Sequence, residues 1–331
     1  MDNNIKNLIN VDNNINNMSY IETIERGKQN FYYLTQTIRL DKKFKKIRIL
    51  LGKGKLSKEE LKQLAKKQEN KLKEKIKETK QINKIIELNP ETKQELNNIK
   101  KNYKKIINKL SPIEYQVIEK HHLITFTFNT NAIEGSTITL KEANHILEDG
   151  IAPEGKELRE IHEIENTKKA YDFMKIYNGK LSIKFIKHIH YNLTFNILKE
   201  QAGEFRRIQV FMRGSKHIPT KPSEINKEMQ SLMRWITNHK NINTVLLAAY
   251  VHHFFIAIHP FIDGNGRTGR LLLNSMLMGA GFPPICIHLR ERIKYINYLE
   301  KARDGDVSDF IDFIIRKIKE AYKEIVDNTK K

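Results

Sequence analysis

Several things are scarce in this chain, and each scarcity narrows the reading. A single cysteine, Cys286, in 331 residues excludes an intrachain disulfide and fits a reducing compartment. Its neighbours Ile285 and Ile287 point to burial, which argues against a catalytic thiol. No apolar stretch approaches the 18 residues of a membrane span, because His252 and His253 interrupt the longest candidate, 245–258. The N-terminus, MDNNIKNLINVDNN, lacks the basic start and apolar run of a signal peptide. A cytoplasmic protein with no membrane partner is therefore expected. His162, His188 and His190 have no clean set of metal-binding companions, so they read as structural histidines.

Acidic residues are also outnumbered, 39 against 59 lysines and arginines, for a net charge of +20. The imbalance is local: residues 41–110 carry a net +14 and the remainder only +6. A basic segment of this kind could meet nucleic acid or an acidic partner, although a lysine-rich solvated helix face is the commoner reason for such a charge run.

Residues 1–19 are polar and asparagine-rich and read as disordered. Two β-prone runs within 31–51 flank Asp41-Lys42-Lys43, which suggests a small hairpin. Ser57 with Glu60 forms a capping-box pattern that opens a lysine-rich helix to about Leu88. Asn89-Pro90 breaks it, and a second helix carries Leu96, Ile99, Tyr103, Ile106 and Leu110 on one face. These two helices are expected to form an antiparallel hairpin. Further helices follow from Pro112, Thr139, Glu157, Ser182, Pro222, Val245, Arg292 and Ser308, so the fold class is mainly α.

The most informative stretch is His259-Pro260-Phe261-Ile262-Asp263-Gly264-Asn265-Gly266-Arg267-Thr268-Gly269-Arg270. It joins VLLAAYVHHFFIAI, apolar nearly all round as in a core helix, to a second helix continuing through LLLNSMLM. The opening N–H groups of that second helix lack internal partners and carry the positive end of the dipole, so they can hold phosphate. Asp263 is a hard oxygen ligand suited to Mg²⁺. Arg267 and Arg270, three apart, supply guanidinium forks for phosphate oxygens, and His259 can take a proton near neutral pH. Together these groups describe nucleophilic attack on a nucleotide phosphate. Upstream, Thr130-Asn131-Ala132-Ile133-Glu134-Gly135 reads as a helix end. A glutamate is badly placed there against the dipole, so Glu134 calls for a cationic partner.

The twelve-residue stretch resembles the signature of the Fic family, H-P-F-x-(D/E)-G-N-(G/K)-R-x-x-R, with every specified position met. The resemblance implies a mostly helical Fic (Fido) enzyme, a nucleotidyltransferase that moves AMP from ATP to a protein Ser, Thr or Tyr hydroxyl. It makes His259 the general base and Asp263 the Mg²⁺ ligand. Gly264, Asn265 and Gly266 become the anion hole, Arg267 a phosphate clamp and Arg270 the partner of the γ-phosphate. Thr130, Glu134 and Gly135 match the family's inhibitory-helix pattern, (S/T)-x-x-x-E-(G/N), which implies that Glu134 pairs with Arg270 and restrains ATP. The alternating residues of 207–219, closing at Gly214-Ser215, read as a β-hairpin. In the family this is a flap over the nucleotide, implying contacts from Val210, Phe211, Met212 and Arg213, with Arg213 standing where relatives carry glycine. Tyr295 matches a position placed against adenine, and Arg303 stands where relatives often carry asparagine.

The expected organisation is thus a disordered 1–19, a basic arm over 20–110, an inhibitory-helix region over 111–180 and a Fic catalytic domain over 181–320. The expected activity is protein adenylylation with ATP and Mg²⁺, restrained by Glu134. Removal of AMP, or transfer of another phosphate-linked group, is the alternative on the same fold. A nucleic-acid-binding regulator acting through the arm is the alternative of a different class. Self-modification and a homodimer stay open.

Overall fold

The structure, a computed structural model, describes residues 19–27, 29–40, 43–83, 87–212 and 217–329. The segment expected to be disordered lies outside the described residues up to 18, as does the expected turn at 41–42. Two compact units divide the chain, Met1–Ile86 and Glu87–Lys331.

In the first unit, β1 (Ser19–Arg26), β2 (Gln29–Leu40) and β3 (Lys43–Lys53) form an antiparallel sheet in the order β1-β2-β3. The two runs expected as a hairpin are β2 and β3. The extra strand begins at Ser19, inside the segment expected to be disordered. It is an edge strand, SYIETIER, in which Glu22, Glu25 and Arg26 dilute the apolar signal. α1 (Lys58–Asn83) opens on the reciprocal Ser57–Glu60 bonds, 2.7 and 3.2 Å. Its Leu61, Ala65, Leu72 and Ile76 are buried with Ile21, Leu34, Ile38, Ile47 and Ile49 of the sheet. The narrow stripe of α1 is thus covered by strands, whereas the sequence suggested a second helix as its partner. On β1, Glu22 accepts from Arg48 Nε at 2.6 Å and Lys46 Nζ at 2.9 Å. The Arg48 bond, aided by Lys46 and opposed by burial, holds the Glu22 carboxyl at about 2.

The second unit is built from helices: α2 (Pro90–Ile107), α3 (Pro112–Glu134), α4 (Leu140–Asn144), α5 (Leu158–Ile176) and α6 (Ile183–Thr194), then α7 (Ile225–Asn238), α8 (Thr244–Ile258), α9 (Asn265–Gly279), α10 (Arg292–Arg303) and α11 (Ser308–Thr329). Half of these starts are written in side chains. Asn89, Ser111, Thr139, Ser182 and Asn243 each accept a backbone N–H of the first turn. α2 buries Leu96 and Ile99 and packs on α11, where Lys319 pairs with Glu95 at 2.6 Å. The stripes of α1 and α2 are therefore each buried inside their own unit.

α8 lies at the centre, buried on nearly every face and packed against α7, α9, α10 and α11. This explains its apolar composition all round, and it fixes where the loop leading to α9 emerges. The segment expected as a flap hairpin has no strand among its described residues, and its turn, 213–216, lies outside them. Side chains tie its flanks instead: Arg206 Nη2 donates to Thr220 O at 2.5 Å and Gln209 Nε2 to Pro219 O at 3.1 Å. Among the described residues, no helix is long and apolar enough to cross a membrane.

Candidate active site between α8 and α9

α8 ends at His259, whose backbone is left-handed (φ 53°) and whose N–H bonds Phe255 O at 3.0 Å. A non-glycine residue in that region costs about 1–3 kcal/mol and persists only where its surroundings hold it. The surroundings do so here, because the buried Arg206 donates from Nε to His259 O at 2.9 Å and its own N–H bonds Pro260 O at 3.0 Å. The chain then passes Phe261, fully buried, and turns at Gly264 (φ 74°) into α9.

Asn265 does not face a ligand with its side chain. Oδ1 accepts from Phe261 N at 2.9 Å and Nδ2 donates to Phe261 O at 2.8 Å, so the amide clasps the loop shut. The first described bond of α9 runs from Thr268 N to Gly264 O, 2.9 Å. The preceding N–H groups of Asn265, Gly266 and Arg267 have no carbonyl within the helix to bond, which leaves an anion nest. His190 buttresses this loop from α6. Its Nδ1 accepts from Gly203 N at 2.9 Å, so Nε2 carries the proton and donates to Asp263 O at 2.9 Å. The ring stacks on Phe261, centroids 3.7 Å apart, and burial pushes its pKa down to about 4.

His259 Nδ1 faces Ile256 O at 3.4 Å. A carbonyl only accepts, so Nδ1 is the donor and Nε2 keeps its lone pair. Burial, opposed by the Ile256 contact and reinforced by Arg206, lowers the imidazole to about 4. The ring is neutral at pH 7, the state a general base needs.

Four charges at the loop mouth close a ring. Arg159 of α5 donates from Nη2 to Asp263 Oδ2 at 2.6 Å and lies 3.3 Å from Glu163 Oε1 through Nε. Arg267, almost fully buried, reaches the same Glu163 oxygen at 3.3 Å and Asp263 Oδ2 at 3.7 Å. Asn131 Oδ1 also accepts from Arg267 Nη1, 3.2 Å. Burial alone would raise the Asp263 carboxyl, but Arg267, the Gly264 N–H at 2.6 Å and Arg159 outweigh it and hold the group ionised.

Arg270 fastens this helix to the end of α3. It donates to Thr130 Oγ1 at 2.7 Å, Thr130 O at 2.8 Å and Glu134 Oε1 at 2.7 Å. The cation sits where the helix dipole is negative and supplies the partner that Glu134 required. Gly135, φ 109°, ends α3 in a conformation that suits glycine. A Cβ on Gly266 would overlap Glu134 Oε1. The carboxylate therefore stands directly over the anion nest.

The expected flap residues lie apart from this cluster. Val210 is half-buried, Phe211 is 81% exposed and Met212 Sδ lies 3.6 Å from Arg303 Nη2. Arg213 lies outside the described residues. Tyr295, expected against adenine, is buried beneath Arg270, with its hydroxyl 2.8 Å from His252 Nε2. Its polar tip is already satisfied inside the core. Arg159, Glu163, Asn131 and Arg206 were given no site role by the sequence, while His190, read there as a structural histidine, holds the loop. Only the Arg159–Glu163 spacing, an i,i+4 pair, left a signal. Cys286 is buried, its thiol pushed up to about 12 by burial, and plays no part in the site. Among the described residues, no group of three or more His, Cys, Asp or Glu is arranged to hold a metal. A cation here would rest on Asp263 and complete its shell with phosphate oxygens and water, as Mg²⁺ commonly does. The donor set fits such an ion.

The Fic/DOC family model matches residues 180–277, a span that includes His190, the loop and α9 to Leu277. Proteins described as protein adenylyltransferase Fic are similar to this chain. That of Drosophila persimilis is 38% identical over 192 residues, 56% of this chain and 37% of that protein. That of Drosophila melanogaster is 38% identical over 195 residues, 56% and 39% of the two chains. This chain thus spans well under half the length of these curated relatives. Among solved structures, a Fic-domain-containing signaling protein from Bacteroides thetaiotaomicron superposes with a TM-score of 0.65 at 23% identity, over 71% of this chain and 96% of that one. Fic-1 from C. elegans gives 0.63 at 24% identity, over 82% and 78%. At these identities the likeness is one of fold.

Proposed function

From the match of residues 180–277 to the Fic/DOC family model we propose that this chain is a protein adenylyltransferase, moving AMP from ATP to a hydroxyl side chain of a protein and restrained by its own Glu134. The observation that carries the reading is the neutral, half-buried His259 beside the α9 anion nest, with two buried guanidiniums, Arg267 and Arg270, on the same turn. Triphosphate binding at the nest sets the α-phosphorus near His259. Nε2 takes the proton of the incoming hydroxyl, the oxygen bonds to the α-phosphorus, and the bond to pyrophosphate breaks. Arg267 and the N–H groups of the nest meet charge that grows on the phosphate oxygens. Mg²⁺, held by Asp263, would neutralise phosphate charge when bound.

The restraint follows from the same geometry. With Glu134 Oε1 on Arg270 and over Gly266, a phosphate must displace a carboxylate and meets its negative charge. The basic unit is a weaker basis for function. On its sheet, Lys46 and Arg48 are both held by the one carboxylate of Glu22, which offsets only one of their two charges.

Incubating the full chain with ATP labelled at the α- or the γ-phosphate tests the proposal. Adenylylation leaves protein-bound α-label and no γ-label. Retained γ-label would mean phosphate transfer, and release of AMP from previously modified protein would favour the reverse reaction.

A further inference from the structure

The ring formed by Arg159, Glu163, Arg267 and Asp263 holds two positive and two negative charges, each touching both of opposite sign. Two of the four, Asp263 and Arg267, belong to groups the proposed chemistry uses. Arg159 is different: its side chain is 53% exposed, it comes from α5, and it holds the outer carboxylate oxygen of Asp263 at 2.6 Å. The other oxygen, Oδ1, already accepts the Gly264 N–H at 2.6 Å. Oδ2 is therefore the oxygen a cation would take, and a guanidinium stands on it.

We propose that Arg159 is the resident counter-cation of Asp263, occupying the position of the divalent cation until substrate arrives, and that Glu163 is the group that receives it. This rests on the reading of Asp263 as the metal ligand. The exchange leaves no charge unpaired. When phosphate takes Arg267, Glu163 loses one of its two cations. When a divalent cation takes Asp263, Arg159 loses one of its two anions. Arg159 and Glu163, four residues apart on one helix face, then keep each other. Arg267 lies almost fully buried and cannot move far, whereas Arg159 is on the solvent side and can swing. An empty site is thus kept neutral, and the carboxylate stays ionised and oriented without a metal.

Direct binding of Mn²⁺ to the full chain, followed by electron paramagnetic resonance without nucleotide, tests this. Arg159→Ala is expected to raise the Mn²⁺ association constant about threefold or more, the size expected for release of a half-exposed ion pair. Adding Asp263→Asn to Arg159→Ala should bring binding back to the wild-type level or below. Mn²⁺ binding in Arg159→Ala no tighter than in wild type would overturn the proposal while leaving Asp263 as the ligand. A gain that survives Asp263→Asn means the cation binds elsewhere, and the metal reading itself fails. Both substitutions are at partly exposed side chains, and a melting curve checks that each variant is folded.

Discussion

Glu134 Oε1 accepts a hydrogen bond from Arg270 Nη2 at 2.7 Å while occupying the space a side chain on Gly266 would need. One carboxylate thereby covers both the guanidinium and the helix N-terminus that the motif offers to a phosphate. Arg270 keeps two bonds to Thr130 when Glu134 is removed, so its position survives the change. Glu134→Gly is expected to raise AMP incorporation by about tenfold or more, which requires only about 1.4 kcal/mol of relief. The double variant Glu134→Gly, His259→Ala should be silent. Equal or lower incorporation by folded Glu134→Gly would show that α3 does not restrain the site.

His259→Ala should cut transfer by roughly 10²–10⁴-fold and leave ATP affinity within about twofold, because the ring faces the hydroxyl and the nest holds the phosphates. The pH profile is a second handle. A histidine pushed down to about 4 is already deprotonated at pH 6, so the acid limb of kcat/KM should fall near 4 and not near the ordinary histidine value. An acid limb centred near 6.5 would contradict the burial of the ring.

Asn265 is expected to act through the loop rather than through phosphate. Asn265→Ala leaves the buried N–H and carbonyl of Phe261 without their partner, at a cost of about 1–3 kcal/mol. Calorimetry should show a lower Tm together with weakened nucleotide binding. An unchanged Tm with lost binding would instead make the side chain a direct ligand.

Truncation separates the two units at a definite place. A chain of residues 87–331 should unfold cooperatively with its activity intact, since it retains α2 and the core that α2 covers on α11. A chain of residues 111–331 loses the buried Leu96 and Ile99, each worth roughly 1.5–3 kcal/mol of burial. It should melt well below the longer piece or fail to stay in solution. Equal melting temperatures would show α2 to be dispensable.

The apolar VLLAAYVHHFFIAI run, the glycines of the loop and the two arginines were legible as a core helix meeting an anion site, because periodicity and local backbone chemistry act over a few residues. Capping boxes at Ser57 and Thr139 fixed helix starts for the same reason, each being a contact across three residues. The missing partner of Glu134 was also implied locally, by a carboxylate placed against its own helix dipole. What lay beyond reach were contacts between residues far apart in the chain. Arg159 meets Asp263 across 104 positions and Arg267 meets Asn131 across 136, and nothing in either neighbourhood announces the other. Tyr295 turned inward to His252, and Asn265 turned its amide back on Phe261, because a buried polar group takes whichever partner the packing brings near. β1 was hidden for a related reason: an edge strand with one buried side, three charges and its partners on β2 carries too little apolar signal to be read alone. The sequence by itself determined which chemistry the α8–α9 joint could hold, and the tertiary structure decided which carboxylate and which guanidinium stand guard over it.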